Sequence, residues 1–167
     1  MTRIAVIGVG NPWRGDDGAG PAVARALDGA LPPGATVVET HGEASALIEA
    51  WQDADAAIVI DAAVSGGPCG AVHRYDLGHE PPPAPPGDPS GHALGVAYAV
   101  ALADAIGKLP ARAILYAITG RRFDPGAPLS PEVAAAVADV AARVRREVGA
   151  LQHPAGTAAR KAGVARP

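Results

Sequence analysis

The sequence predicts a three-layer α/β/α fold built around a mostly parallel, twisted sheet of about five strands. The first observation is that apolar runs without alternation, such as residues 3–9 and 56–60, are typical of strands buried on both faces, the usual state of a parallel sheet. The second is that segments with helical periodicity alternate with these runs along the chain. Alternating strands and helices favour one sheet covered by helices on both faces.

Start and stop signals place the individual elements. Strands are expected at residues 3–9, 35–39, 56–60, 70–77 and 113–118, and helices at residues 18–29, 43–51, 94–106 and 131–148. The 70–77 run alternates only moderately, so it is expected nearer the edge of the sheet. In the first helix Val23 and Leu27 face inward, and Gly29 ends it. In the last helix Ser130 is expected as the N-cap and Pro131 as the first helical residue.

Length and composition predict a single domain over residues 1–150 and a loose tail over residues 151–167. A chain of 167 residues can bury a core without disulfides or structural metals, and its 49 % hydrophobic and 19 % charged residues are typical of a globular protein. Residues 80–89 are dominated by proline, which favours an extended surface loop. The tail mixes proline, glycine and basic residues without periodicity.

Charge and cysteine content exclude several classes of function. The net charge is −3 and no basic stripe is present, so the sequence argues against nucleic acid and a membrane surface as partners. The single cysteine, Cys69, excludes an intramolecular disulfide and a cysteine-based zinc site. The N-terminal apolar run is too short for a signal sequence, and no stretch approaches the roughly 20 apolar residues of a membrane span. We therefore expect a soluble cytoplasmic protein.

Three polar residues stand where a parallel sheet places its ligands, at strand ends and helix starts. Asp17 follows the first strand with Asp16 beside it, Asp61 ends the 56–60 strand, and His92 lies just before the 94–106 helix. Two carboxylates and an imidazole suit a borderline divalent metal such as zinc, cobalt or nickel. Each residue also has a simpler interpretation. Asp17 can complement a helix dipole, Asp61 can form a turn, and His92 can merely begin a helix.

Together these residues fall within a pattern of short motifs. The motifs are GVGN at 8–11, GDDGAGP at 15–21, IVIDA at 58–62, GHALG at 91–95 and LSPEV at 129–133. Over residues 2–148 the chain resembles the hydrogenase maturation proteases, which remove the C-terminal extension from the large subunit of nickel–iron hydrogenases. The resemblance implies a phosphorylase/hydrolase-like α/β/α fold. It also implies that Asp17, Asp61 and His92 are both the metal-binding and the catalytic residues.

The resemblance further implies a partner and a metal. The partner is the hydrogenase large-subunit precursor, and the nickel is the one already inserted in that precursor, so the enzyme, expected to be a monomer, can lack a resident metal. The sequence departs from the family pattern at 40–44 (THGEA) and 118–122 (ITGRR). These departures leave open which hydrogenase is processed. They also leave open whether His41 joins the site and whether Arg121 and Arg122 meet an acidic patch of the substrate.

Other readings of the same residues remain. Gly8-x-Gly10 after a buried strand is compatible with a dinucleotide-binding module, but position 13 is tryptophan where that fingerprint needs glycine, and an acidic pair repels pyrophosphate. An assembly factor that binds the precursor without cutting it would use the same residues. A different metal-dependent peptidase on the same fold is the third alternative. Ser65 and Ser90 lack the context of a serine nucleophile, and Cys69 has no neighbouring base.

Overall fold

The computed structural model describes residues 1–80 and 92–154, without the side chains of residues 92–94. Within these residues all strands belong to one twisted sheet. The strands are β1 (Ile4–Val9), β2 (Ala35–Thr40), β3 (Ala56–Ala63), β4 (Val72–Asp76) and β5 (Arg112–Thr119). The α-helices are α1 (Ala19–Leu27), α2 (Ala44–Trp51), α3 (His92–Ala105) and α4 (Pro131–Gln152), and a 3-10 helix, Gly15–Gly18, precedes α1.

The strand order is β2-β1-β3-β5-β4, with all pairs parallel except β4 and β5. The predicted fold class is therefore confirmed, and so is the edge position of the fourth strand. β4 is anchored from outside the sheet as well. The Arg74 guanidinium donates two 2.8 Å hydrogen bonds to the carboxylate of Glu147 in α4, and the Tyr116 hydroxyl of β5 donates to the same carboxylate.

Helices cover both faces of the sheet and divide the core in two. One core lies between the sheet and the pair α1 and α4, where Val23, Leu27 and Val140 are fully buried. The other lies between the sheet and the pair α2 and α3, where Leu47 and Trp51 are fully buried. None of the described helices is long and apolar enough to cross a bilayer.

Several boundaries differ from the sequence-based expectation. β3 does not end at Ile60 but continues to Ala63, because β5 continues beside it and pairs Ala63 with Thr119. Asp61 therefore lies within the strand rather than after it. α3 begins at His92, not near residue 94, and α4 continues to Gln152, beyond the expected end at residue 148. The predicted proline loop (from residue 81) and the predicted tail (from residue 155) lie outside the described residues.

A close approach of α1 to the sheet sets the position of the segment after β1. Gly20, in the first turn of α1, lies directly over the main-chain carbonyl oxygens of Val9 and Ile60. A Cβ atom at this position would overlap both oxygens. The absence of a side chain at Gly20 lets the start of the helix lie against the end of β1 and the neighbouring part of β3.

This approach predicts that Gly20→Ala destabilises the protein although alanine is the better helix former. Overlap with main-chain atoms should lower the free energy of unfolding by about 1–3 kcal/mol. Gly149→Ala is the matched control, because Gly149 is also helical and a Cβ there meets no atom within 4 Å. That variant should gain up to about 1 kcal/mol from helix propensity. Urea denaturation of the two variants tests the prediction, and equal stability of both would contradict it.

Candidate functional site

The candidate site lies where the order of the strands reverses. From β1 the chain crosses to β2 on one side and later returns to β3 on the other side. At such a switch point the connections leave in opposite directions, and a crevice opens at the carboxyl ends of the two central strands. Asp17 belongs to the 3-10 helix that follows β1, and Asp61 lies near the carboxyl end of β3. The two predicted carboxylates thus border the same crevice.

The position of Asp17 is fixed by the loop between β1 and the 3-10 helix. Its side chain is 4 % exposed, and its Oδ2 accepts a 2.8 Å hydrogen bond from the main-chain N–H of Asn11. Gly10 has φ of +138°, and a Cβ there would overlap the main-chain carbonyl of Asp17. Gly10 therefore permits a tight return of the main chain that holds Asp17 at the end of β1, whereas Gly8 lies against Gly20 and Ala24 of α1.

Asp61 is a carboxyl in an unfavourable environment for its charge. Burial, and then the negative charge of Asp17, raise its pKa well above the ordinary value of 3.8, while a hydrogen bond from the main-chain N–H of Ala62 opposes the rise. The side chain nevertheless retains intermediate exposure to solvent. A cation bound beside these two carboxyl groups would relieve their repulsion.

His92 is placed here by its main chain. It is the first residue of α3, and one turn further on Gly95 packs against the main-chain carbonyl of Gly42, which follows β2. Gly42 in turn lies against Val9 at the end of β1. Residue alternation along β3 puts Asp61 on the same face as Ala57 and Val59, the face covered by α3. The start of α3 therefore lies at the carboxyl edge that carries the two aspartates. The His92 side chain lies outside the description.

Other residues singled out in the sequence have simpler positions. His41 is exposed in the loop after β2. Arg121 forms an ion pair of 3.2 Å with Glu132, both largely exposed, and the Arg122 side chain is exposed. Cys69 is half-buried and packs against the core beneath α4. Among the side chains that the structure describes, a set that excludes His92, no group of three or more histidine, cysteine or acidic residues is placed to hold a metal.

Asp16, the neighbour of Asp17, has a different role that the sequence did not indicate. Its carboxylate is fully buried and accepts hydrogen bonds from the main-chain N–H groups of Arg121 (2.8 Å), Arg122 (3.0 Å) and Ser130 (2.6 Å) and from the Ser130 hydroxyl (2.8 Å). Asp16 thus joins the segment after β1 to the segment after β5 and to the start of α4. Ser130 occupies the expected N-cap position, but its hydroxyl bonds Asp16 instead of capping the helix.

Burial alone raises the pKa of Asp16, because it removes a charge from water. The hydrogen bonds from Arg121, Ser130 and Arg122 outweigh that penalty, and the net effect lowers the pKa below 3.8. The carboxylate is consequently ionised in the folded protein at neutral pH and acts as a fixed structural anion.

Comparison with known proteins identifies the family. The family model described as HycI, hydrogenase maturation protease, matches residues 21–147. This chain belongs to the hydrogenase maturation protease family. The predicted resemblance is confirmed, and the chain is accordingly a peptidase by family. A search of functionally curated proteins gave no match.

Solved structures of this family share the fold. The hydrogenase maturating endopeptidase HybD from E. coli is 23 % identical, with a TM-score of 0.74 over 92 % of this chain and 94 % of that chain. HybD from Thermococcus kodakarensis is 23 % identical, with a TM-score of 0.68 over 87 % and 99 %. A hydrogenase 2 maturation peptidase from a Thaumarchaeota archaeon is 25 % identical, with a TM-score of 0.64 over 88 % and 98 %.

The Asp16 network predicts a large and pH-dependent effect of Asp16→Asn. Both carboxylate oxygens accept N–H donors, so the amide nitrogen must face at least one donor, and the free energy of unfolding should fall by about 1–3 kcal/mol at neutral pH. Because folding lowers the pKa of Asp16, its stabilisation is complete above the ordinary value of 3.8 and is lost as the pH falls through the folded value. The difference between wild type and variant should therefore narrow below about pH 4.

Urea denaturation across this pH range tests the prediction. Ser130→Ala is the control, because it removes one donor and keeps the carboxylate together with its pH dependence. The Ser130→Ala variant should lose only about 1 kcal/mol of the free energy of unfolding. A wild type and an Asp16→Asn variant of equal stability at pH 7 would contradict the structural role of the anion.

Asp61→Asn is predicted to stabilise the protein, whereas Asp16→Asn is predicted to destabilise it. Folding raises the pKa of Asp61, so the folded state loses stability as the pH rises through the folded value, and the ionised carboxylate is unfavourable above it. Removing the charge should raise the melting temperature at neutral pH, by about 2–4 °C for each kcal/mol regained. The control is Asp139→Asn, an exposed partner of Arg143 on α4, which should change stability by less than about 0.5 kcal/mol. Thermal melts in a chelating buffer provide the measurement, and a lower melting temperature for Asp61→Asn would contradict the prediction.

Proposed function

We propose that this protein is the endopeptidase that removes the C-terminal extension of a nickel–iron hydrogenase large-subunit precursor after nickel has been inserted. Asp17, Asp61 and His92 would contact that nickel and carry the catalysis. The observation that carries the proposal is the acidic pair at the switch point, where burial and the charge of Asp17 raise the pKa of Asp61. Family membership supplies the reaction class, the maturation of a hydrogenase by proteolysis.

The chemistry of the site supports a cation brought by the substrate. Asp17 and Asp61 repel each other at a half-open crevice, and a divalent ion between them would replace that repulsion with attraction. Two carboxylates and one imidazole form a donor set suited to nickel. When present, the metal of the substrate would polarise the scissile carbonyl or the attacking water. A precursor without nickel would leave the repulsion in place, so metal loading would license binding.

Hydrolysis of a peptide bond also requires that a proton leave the attacking water and reach the departing amine. A carboxylate beside the attacking water is suited to accept such a proton and pass it on, and Asp61 is the described, partly exposed residue proposed for this, since the nickel would offset the raised pKa that Asp61 has in the free protein. Asp17 is held by the Asn11 N–H and is suited to a fixed electrostatic role. The two aspartates would therefore divide the work of proton transfer and charge stabilisation.

The segment after β5 would border the bound substrate. The main chains of Arg121 and Arg122 are tied to Asp16, the immediate neighbour of Asp17. This arrangement supports the proposal that residues 119–124 flank the crevice. The proline-rich segment predicted as a surface loop lies outside the described residues.

A cleavage assay with two forms of one precursor tests the proposal. The nickel-loaded precursor should lose its C-terminal extension, read by mass, and the nickel-free precursor should remain intact. Asp61→Asn and His92→Ala should reduce cleavage by at least about a hundredfold, as expected for loss of a group that acts on the transition state. Cys69→Ala should cleave normally. Binding without cleavage by the wild type would favour the assembly-factor alternative, and equal cleavage of both precursor forms would contradict nickel recognition.

A second prediction separates metal recognition from ordinary peptide hydrolysis. A free peptide that carries only the cleavage sequence lacks the nickel and the neighbouring folded surface, so it should be a poor substrate. The measurement is kcat/KM for the peptide and for the folded, nickel-loaded precursor under the same conditions. Comparable values would indicate a conventional metallopeptidase in place of the proposed mechanism.

A further inference from the structure

An exposed tryptophan lies on the loop that leads to Asp17. The Trp13 side chain is 78 % exposed, although tryptophan has one of the largest apolar surfaces of any residue. Isolated apolar residues are ordinary on protein surfaces. What distinguishes Trp13 is its position four residues before Asp17 and the rigidity of the main chain that carries it.

The main chain around Trp13 is held on both sides. Its N–H donates to the side-chain oxygen of Asn11 at 2.9 Å, and its carbonyl accepts from the N–H of Gly126 at 2.7 Å. The same two segments are joined further along, where Gly15 N–H donates to Ala127 and Asp16 N–H donates to the Arg122 carbonyl. Together with the Asp16 carboxylate, these bonds make one rigid unit of residues 11–18 and 120–127, which we name the loop pair.

Rigidity of this kind matters for binding. A side chain on a fixed main chain loses less conformational freedom when it docks, so more of its buried surface contributes to affinity. Tryptophan and arginine are the residue types most enriched among the side chains that dominate interface energies. The loop pair carries both, because the Arg122 side chain is also exposed.

A second exposed apolar residue follows β3 at the same edge of the sheet. Val64, which follows β3 three residues after Asp61, is 53 % exposed. The neighbouring Ala63 carbonyl accepts the N–H of Gly120, which links the end of β3 to the loop pair. Trp13 and Val64 therefore follow the two strands that border the candidate crevice.

We infer that the loop pair is a docking surface for the folded body of the protein substrate, with Trp13 as its anchor. The inference rests on the proposed function, which requires the crevice to reach a metal held inside a folded partner. A surface built for a short peptide would need main-chain pairing or side-chain pockets, whereas an exposed tryptophan and an exposed arginine on one rigid unit fit an apolar recess near acidic groups. The occupant is thus the precursor surface next to its C-terminal extension.

The experiment compares Trp13→Ala, Trp13→Phe and wild type in cleavage of the nickel-loaded precursor. Trp13→Ala should raise KM about tenfold or more while kcat changes less than about twofold, because the anchor touches the substrate body and not the reacting bond. Trp13→Phe should recover most of the loss. The control is Ile106→Ala, since Ile106 is 51 % exposed at the far end of α3, and this variant should match wild type.

Binding is measured in parallel by calorimetry, with Asp61→Asn as a non-cleaving background. Trp13→Ala in that background should weaken the affinity for the precursor by a similar factor. If wild type cleaves the precursor and Trp13→Ala retains both KM and affinity, the docking surface is refuted while the proposed function stands. If wild type binds but does not cleave, the calorimetric comparison alone decides for or against Trp13. If wild type neither cleaves nor binds, the proposed function and the docking surface both fail.

Discussion

A buried anion holds the functional edge of this protein together. The carboxylate of Asp16 is removed from water, which is costly for a charge, and it remains ionised because four donors from two distant segments converge on it. These donors come from the segment after β5 and from Ser130, the N-cap residue of α4. Without the anion, three main-chain N–H groups and a hydroxyl would lack this partner, so the geometry of the edge and the charge of Asp16 depend on each other.

Two adjacent aspartates thereby acquire unlike roles from their surroundings. Asp16 and Asp17 are consecutive in one short 3-10 helix. Asp16 accepts hydrogen bonds from the connection between β5 and α4, whereas Asp17 accepts one described hydrogen bond and its charge raises the pKa of Asp61. Asp16 keeps its charge, which its hydrogen-bond donors stabilise, and it contributes to the stability of the fold. Asp17 adds to an unneutralised negative charge at the crevice. The Asp16 carboxylate thus stabilises the fold, whereas Asp17 and Asp61 place an unfavourable negative charge at the crevice.

The sequence was sufficient for the fold because the signals that define it are local. Uninterrupted apolar runs identified β1, β3 and β5, and the order of elements indicated one sheet with helices on both faces. The predicted end of β3 was wrong by three residues. The strand extends to Ala63 because it pairs with β5, which lies more than 50 residues further along the chain. Asp17 and Asp61 could be placed at one edge from strand ends alone. The structural role of Asp16 could not be predicted, because its hydrogen-bond partners lie 105 to 114 residues away in the sequence. An acidic pair also does not indicate which of its two members is buried. The hydrogen bond from the Ser130 hydroxyl to Asp16 could not be predicted either, because the sequence around Ser130 indicates only a helix cap.

The edge of the sheet formed by β4 has a consequence for a peptidase, which meets extended peptide segments. β4 is short, runs against its neighbour and presents exposed His73 and Arg74, and Arg74 is drawn toward Glu147 of α4. Short edge strands with charged side chains discourage the addition of a foreign strand. An extended peptide segment could otherwise lengthen the sheet by β-augmentation. The charged side chains of β4 therefore discourage the pairing of such a segment with this edge.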